Sequence, residues 1–264
     1  MSSADMTYSD YLGLDQLLSA TQPRSDAHDE MLFITIHQAS ELWMKLTLHE
    51  LNAARAAIIA DDLNPAFKMM ARVSRIQHQL IQSWEVLSTM TPSDYSVVRP
   101  HLGTSSGFQS AQYRLIEYLL GNKNPKMTAV HEGRGTDYEL LRAAERQPSL
   151  YDEALRLLSR RGLDIPGTHL QRDFTQGYQA SAEIEAAWLA IYREPDRYWD
   201  LYELAEKLVD LQYHFQLWRF GHLKTVERVI GFKPGTGGTP GVPYLAEVVA
   251  KTFFPELLTV RTAL

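Results

Sequence analysis

A chain of 264 residues, 45% hydrophobic and 22% charged, has the balance of one large globular domain or two small ones. Its net charge of -6 argues against nucleic acid as a partner, since that needs a dominant basic face. The absence of cysteine excludes disulfides, thiolate nucleophiles, iron–sulfur clusters, cysteine zinc sites and thiolate or CxxCH haem attachment. No apolar run approaches the length of a membrane span. The N-terminal MSSADMTYSDY lacks the basic and apolar regions of a signal peptide, so a cytoplasmic location is expected. Any metal must be held by His, Asp, Glu, Tyr or Met, and none of the nine histidines forms HxH or HExxH.

Residues 1–27 read as an irregular arm with a short helical piece at Tyr11–Ser19, anchored by Tyr8, Tyr11 and Leu12. Residues 28–264 read as one helical domain. Its first long helix runs from His28 to about Ala60, with Ser25 and Asp26 available as caps. Leu32, Ile36, Ala39, Trp43 and Leu46 form its main apolar stripe, and Phe33, His37, Ser40 and Met44 a second line beside it. Phe33 and His37, four apart, present a ring and an imidazole to the same space. Taken alone, His37 reads as a buried histidine hydrogen-bonded to a neighbour.

A second long helix is expected from Asn64-Pro65 to about Met90, with Met69, Val73, Ile76, Leu80, Trp84 and Leu87 in helical register. Thr91–Gly107 reads as irregular, with YSVV the one candidate strand, and Phe108–Leu120 as a helix. Shorter helices are expected at Thr136–Arg146, Ser149–Ser159 and Gly167–Tyr192. Pro195 opens the last long helix, which reaches about Ile230. There Leu201, Leu204, Leu208, Leu211, Phe215, Trp218 and His222 alternate by three and four. FKPGTGGTPGVP reads as a flexible glycine-rich loop, followed by a final helical segment around FFPELL. The pattern is all-α, a single helical-bundle domain.

Gly103-Thr104-Ser105-Ser106-Gly107 matches GxSxG, but a serine-hydrolase elbow at Ser105 needs a preceding strand and a parallel sheet. Gly235-Thr236-Gly237-Gly238 lacks the Lys-Ser/Thr of a phosphate loop and reads as a mobile loop or a lid. His222 has three readings: a satisfied core histidine, a proton carrier, or an axial ligand to a haem held between helices.

Four segments together resemble the haem-dependent tryptophan 2,3-dioxygenases. They are FITIHQASELWMKLTLHEL, YSVVRPHLGTSSGFQSAQYRLIEYLLGNKNP, LWRFGHLKTVERVIG and GTGGTPGVPYL. The resemblance implies an all-helical fold, a b-type haem (heme b, ferrous when active) and a homotetramer. It implies His222 as the iron's axial ligand and His37 as the distal acceptor of the indole N–H, with Phe33 walling the indole pocket. Tyr95 and Arg99 become the carboxylate clamp, a role that suits the planar fork of Arg. Thr236 becomes the lid residue, and Trp84 and Ser106 lie near the haem. Tyr8, Tyr11 and Leu12 match an arm that enters a neighbouring subunit's pocket.

The implied reaction joins L-tryptophan and O2 to give N-formyl-L-kynurenine, within tryptophan catabolism by the kynurenine pathway, by cleavage of the indole C2–C3 bond. Similar relatives act on modified tryptophans such as β-methyltryptophan, sometimes inserting one oxygen atom, and that is the near alternative. The distant one is a hydrolase using Ser105. One departure stands out: Gly221 precedes His222 where a larger polar residue is expected.

Overall fold

The computed structural model describes residues 5–264; the first four residues of the expected arm lie outside the described residues. Among the described residues every regular element is helical. The arm holds α1 (Tyr8–Leu12) and α2 (Leu14–Ser19) rather than one piece at Tyr11–Ser19. A capping box between Thr7 and Asp10 starts the first helix early, and Gly13, at φ 60°, breaks the chain between them. Neither helix buries a residue.

Helix α3 (Glu30–Ile59) starts later than its expected caps. Ser25 is drawn instead to the buried Glu30 carboxylate, donating through its backbone N–H and its hydroxyl at 2.7 and 2.6 Å. The most buried line of α3 is Ser40, Met44, Thr47, Leu51, Ala54 and Ile58; the expected main stripe is only half-buried. Two hydroxyls can lie on that line because each is satisfied within the helix. Ser40 donates to the Ile36 carbonyl at 2.8 Å and Thr47 to that of Trp43 at 3.0 Å.

Helix α4 (Leu63–Leu87) packs along α3 and buries Val73, Ile76, Leu80, Trp84 and Leu87. The candidate strand YSVV belongs to α5 (Pro92–Val98). Pro92 at the helix start and a Thr91–Asp94 capping box supply local signals that outweigh the β-branched residues. A short 3-10 turn at Gly107–Gln109 precedes α6 (Ala111–Leu119), which replaces the longer helix expected from Phe108. Then come α7 (Pro125–Ala129), α8 (Thr136–Arg146) and α9 (Leu150–Arg160).

The single helix expected at Gly167–Tyr192 is two, α10 (Gly167–Leu170) and α11 (Ala182–Arg193). Arg172 turns the chain between them: it pairs with Asp152 at 2.8 Å and donates to the Gln176 carbonyl at 2.7 Å. Helix α12 (Trp199–Ile230) begins four residues beyond Pro195, after a turn in which Arg197 and Tyr198 donate to Glu194. Its expected stripe from Leu201 to Trp218 is buried, largely against α4. Helices α13 (Val242–Val249) and α14 (Pro255–Thr259) close the chain. Gln212 holds this end, accepting the N–H groups of Phe253 and Phe254 at 2.7 and 2.9 Å.

One buried ionic cluster joins α6 to α12. Glu117 pairs with Arg114 and with Arg219, the latter at 2.5 Å. It also accepts from the Tyr113 hydroxyl and the Asn122 amide. Arg219 in turn donates to the Val248 and Lys251 carbonyls, so it holds the end of α13 against α12. Two buried guanidinium groups thus depend on one carboxylate. Glu117→Gln, which keeps the shape and removes the charge, is expected to lower the unfolding free energy by about 3–5 kcal/mol in urea titration. A loss below about 0.5 kcal/mol would contradict this role for the cluster.

Candidate active site

Helices α3, α4, α5, α6, α12 and α13 surround a space of about 1570 Å³, part of it open solvent at its mouth. The wall is mainly apolar, with Ile36, Met44, Leu87, Val226 and Leu245 among its residues. The loop between α12 and α13 forms part of the enclosure.

Both candidate histidines lie on this wall. His222 continues the buried stripe of α12 to the point where that stripe meets the cavity. Its imidazole stacks on the Trp84 indole, with ring centroids 4.6 Å apart and planes within 8°. Among the described residues none hydrogen-bonds it. Burial pushes its pKa down to about 4, and the nearby His37 pushes the same way. At neutral pH the ring is therefore uncharged and carries a free nitrogen lone pair.

His37 is oriented from within its own helix. Its Nδ1 lies 2.7 Å from the Phe33 carbonyl oxygen. A carbonyl only accepts, so Nδ1 carries the proton and Nε2 is left as an acceptor. Burial lowers its pKa, against the opposing pull of the Phe33 carbonyl and the Glu41 charge. The Phe33 ring sits 4.2 Å from the imidazole and 6.2 Å from the Tyr95 ring, so the three form one aromatic corner.

Arg99 stands beside this corner without lining the cavity itself. Its Nη2 donates to the Pro234 carbonyl at 2.8 Å, while Nη1 is buried with no partner. An unpaired buried guanidinium nitrogen is costly unless an anion meets it. Burial raises the pKa of Tyr95, and Arg99 partly offsets the rise.

The glycine-rich loop is folded down on the turn after α5. Thr236 donates its hydroxyl to the Ser105 carbonyl at 2.6 Å. Gly237 lies so close to Ser106 that a Cβ there would sit 2.8 Å from that of Ser106. Thr236 and Ser106 line the cavity. The hydrolase reading of Ser105 fails on geometry: its exposed hydroxyl donates to the Leu102 carbonyl at 2.6 Å, and a 3-10 turn precedes it instead of a strand.

The arm residues are not brought to the cavity. Tyr8 and Tyr11 are each 77% exposed and Leu12 44%, on a segment with no buried residue. Conversely, Tyr113, Arg114, Arg219, Tyr244 and Val248 line the cavity and escaped the sequence reading. Arg219 left a trace, a charge set between Trp218 and His222 on an otherwise apolar face. The others depend on pairing between distant segments.

A b-type haem can be tested against these residues. A neutral, unpartnered imidazole on an apolar wall is the donor such an iron takes when thiolate is lacking. The same wall holds Trp84 Nε1, Trp218 Nε1 and Arg114 Nε, all buried and without partners, which suit carboxylates at a macrocycle's edge. The residues fit the group.

Comparison with known proteins agrees with this geometry. A sequence profile described as tryptophan 2,3-dioxygenase matches residues 1–264. The chain is 65% identical over 260 residues to the tryptophan 2,3-dioxygenase of Erythrobacter litoralis, covering 98% of this chain and 99% of that one. It is 60% identical over 262 residues to that of a Polaromonas species, covering 99% and 89%. It is 59% identical over 260 residues to that of Bordetella pertussis, covering 98% and 92%. The chain belongs to the tryptophan 2,3-dioxygenase family.

Proposed function

We propose that this cavity holds a b-type haem on His222 with L-tryptophan beside it, and that the enzyme cleaves the indole C2–C3 bond with O2 to give N-formyl-L-kynurenine. The observation that carries the reading is the half-buried, uncharged His222, unpartnered on an apolar cavity that it shares with His37. Haem bound there supplies the O2 chemistry, which side chains alone lack.

The chain's own groups bind, orient and shield the substrate. His222 would hold the haem iron, because its surroundings keep its nitrogen unprotonated. The unpartnered Trp84 and Trp218 indole N–H groups and Arg114 Nε would hold the carboxylates of such a haem. His37 Nε2 accepts the substrate's indole N–H, since Nδ1 is already committed to Phe33. Phe33 and Tyr95 confine the ring. Arg99 Nη1 meets the α-carboxylate and so gains the partner it lacks. Thr236 retains oxygen lone pairs that can accept from the ammonium while its hydrogen holds the loop to Ser105. The folded loop excludes water over the reacting ring.

The exposed Tyr8, Tyr11 and Leu12 find their cover in a second copy of the chain, as the arm of a homotetramer. No helix among the described residues is long and apolar enough to cross a membrane, in keeping with a cytoplasmic enzyme of the kynurenine pathway.

The two histidines separate in the absorption spectrum. His222→Ala is expected to lose most of the bound haem and its Soret band. His37→Ala is expected to keep the band and to lose activity through poorer orientation. Equal haem loss in both variants would contradict the assignment. For Arg99→Lys, loss of the charged Nη1 contact, worth about 1.5–3 kcal/mol, should raise KM for L-tryptophan about 10- to 100-fold with a smaller change in kcat. Steady-state kinetics with an unchanged KM would remove Arg99 from the clamp.

A further inference from the structure

Gly221 is a helix-interior glycine, and glycine weakens a helix relative to alanine. Its position becomes intelligible from Trp84. A Cβ at 221 would lie 2.9 Å from Trp84 Cδ1 and 3.5 Å from Cγ, and the first distance is closer than side chains tolerate. The indole therefore lies directly on the backbone of α12. It has little freedom to retreat, because Trp84 is buried and its ring packs against Trp218 with centroids 5.8 Å apart. From this seat the indole presents its face to the next residue. His222 lies 4.6 Å away with its ring plane within 8° of parallel, and Trp218 adds a second, looser stack at 6.4 Å and 27°.

A metal-ligating histidine is ordinarily aimed by a hydrogen bond from its remote ring nitrogen to a carboxylate or carbonyl. His222 has no such partner among the described residues. We infer that Gly221 and Trp84 act together as positioning residues for the His222 imidazole, the glycine admitting the indole and the indole's face fixing the ring's plane in place of a hydrogen bond. This rests on the proposed haem ligation by His222. It also explains why no larger polar residue stands at 221: any side chain there would displace the indole that aims the ligand.

The test uses haem-loaded wild type, Gly221→Ala, Trp84→Leu and Trp84→Phe. The iron–histidine stretching band is read by resonance Raman in the ferrous state, and haem loss by transfer to apomyoglobin. Gly221→Ala and Trp84→Leu are expected to shift or broaden the band and to speed haem loss about tenfold or more. Trp84→Phe keeps a flat ring and should leave the band at its wild-type position, although it loses haem faster because the N–H offered to a haem carboxylate is gone. Should Gly221→Ala fail to fold, Trp84→Leu against Trp84→Phe decides alone.

A second arm needs no haem. In the haem-free proteins, the double variant Gly221→Ala/Trp84→Leu should lose less thermal stability than the two single losses added together, because the new methyl no longer meets an indole. Absence of an iron–histidine band in wild type would overturn the haem reading and this inference with it. A wild-type band left unmoved by Gly221→Ala and Trp84→Leu, or strictly additive stability losses, would overturn this inference alone.

Discussion

An imidazole set half-buried on an apolar wall and given no hydrogen-bond partner stays neutral, and much of this structure follows from placing one that way. Burial holds His222 near a pKa of about 4. That burial exists because α12 is apolar along one face from Leu201 onward and α4 packs along it. Where the two helices reach Trp84 and Gly221, packing gives way to a cavity, and the histidine stands at its edge. The same environment would make an uncompensated charge costly, which accounts for the closed Arg114–Glu117–Arg219 cluster beside it. Trp84, Trp218 and Arg114 on the cavity wall, and Arg99 beside it, each keep an unsatisfied polar atom that a ligand can complete.

The polar groups divide into two sets. Trp84, Trp218 and Arg114 offer buried donors on the wall that carries His222. Tyr95, Arg99 and Thr236 meet around the folded loop, where Arg99 touches the Pro234 carbonyl and Thr236 the Ser105 carbonyl. One guanidinium thus fastens the loop and keeps a free nitrogen for an anion. In the proposed enzyme, carboxylate binding and loop closure are joined through Arg99, and His37, held from within α3, needs no loop to orient it. A preformed acceptor for the ring and a loop-dependent clamp for the charged end favour substrates that carry both features.

Much of this was legible in the sequence because helical periodicity is a strong local signal. The stripe on α12 and the pairing of Phe33 with His37 could be read from spacing alone, and so could the all-α class. Short segments were harder. YSVV has the residues of a strand, but Pro92 and the Thr91–Asp94 box commit it to α5. The break inside Gly167–Tyr192 depends on Arg172 reaching back to Asp152, a contact that periodicity does not encode. Spacing also left His37 and His222 with several roles each; family resemblance, not periodicity, linked them to Tyr95, Arg99 and Thr236. The lining residues Tyr113, Arg114 and Tyr244 come from segments that meet only in the folded chain. Tyr8, Tyr11 and Leu12 lie outside the cavity of their own chain, so their proposed role belongs to an assembly that one chain does not contain.

The central claim is that both atoms of O2 enter the opened indole ring. The most direct measurement is the mass of the product formed from L-tryptophan by the haem-loaded enzyme under 18O2. The account predicts N-formylkynurenine carrying two labelled oxygen atoms, formed at a rate that depends on His222. A product with one labelled atom and an intact C2–C3 bond, or turnover by haem-free protein, would contradict it.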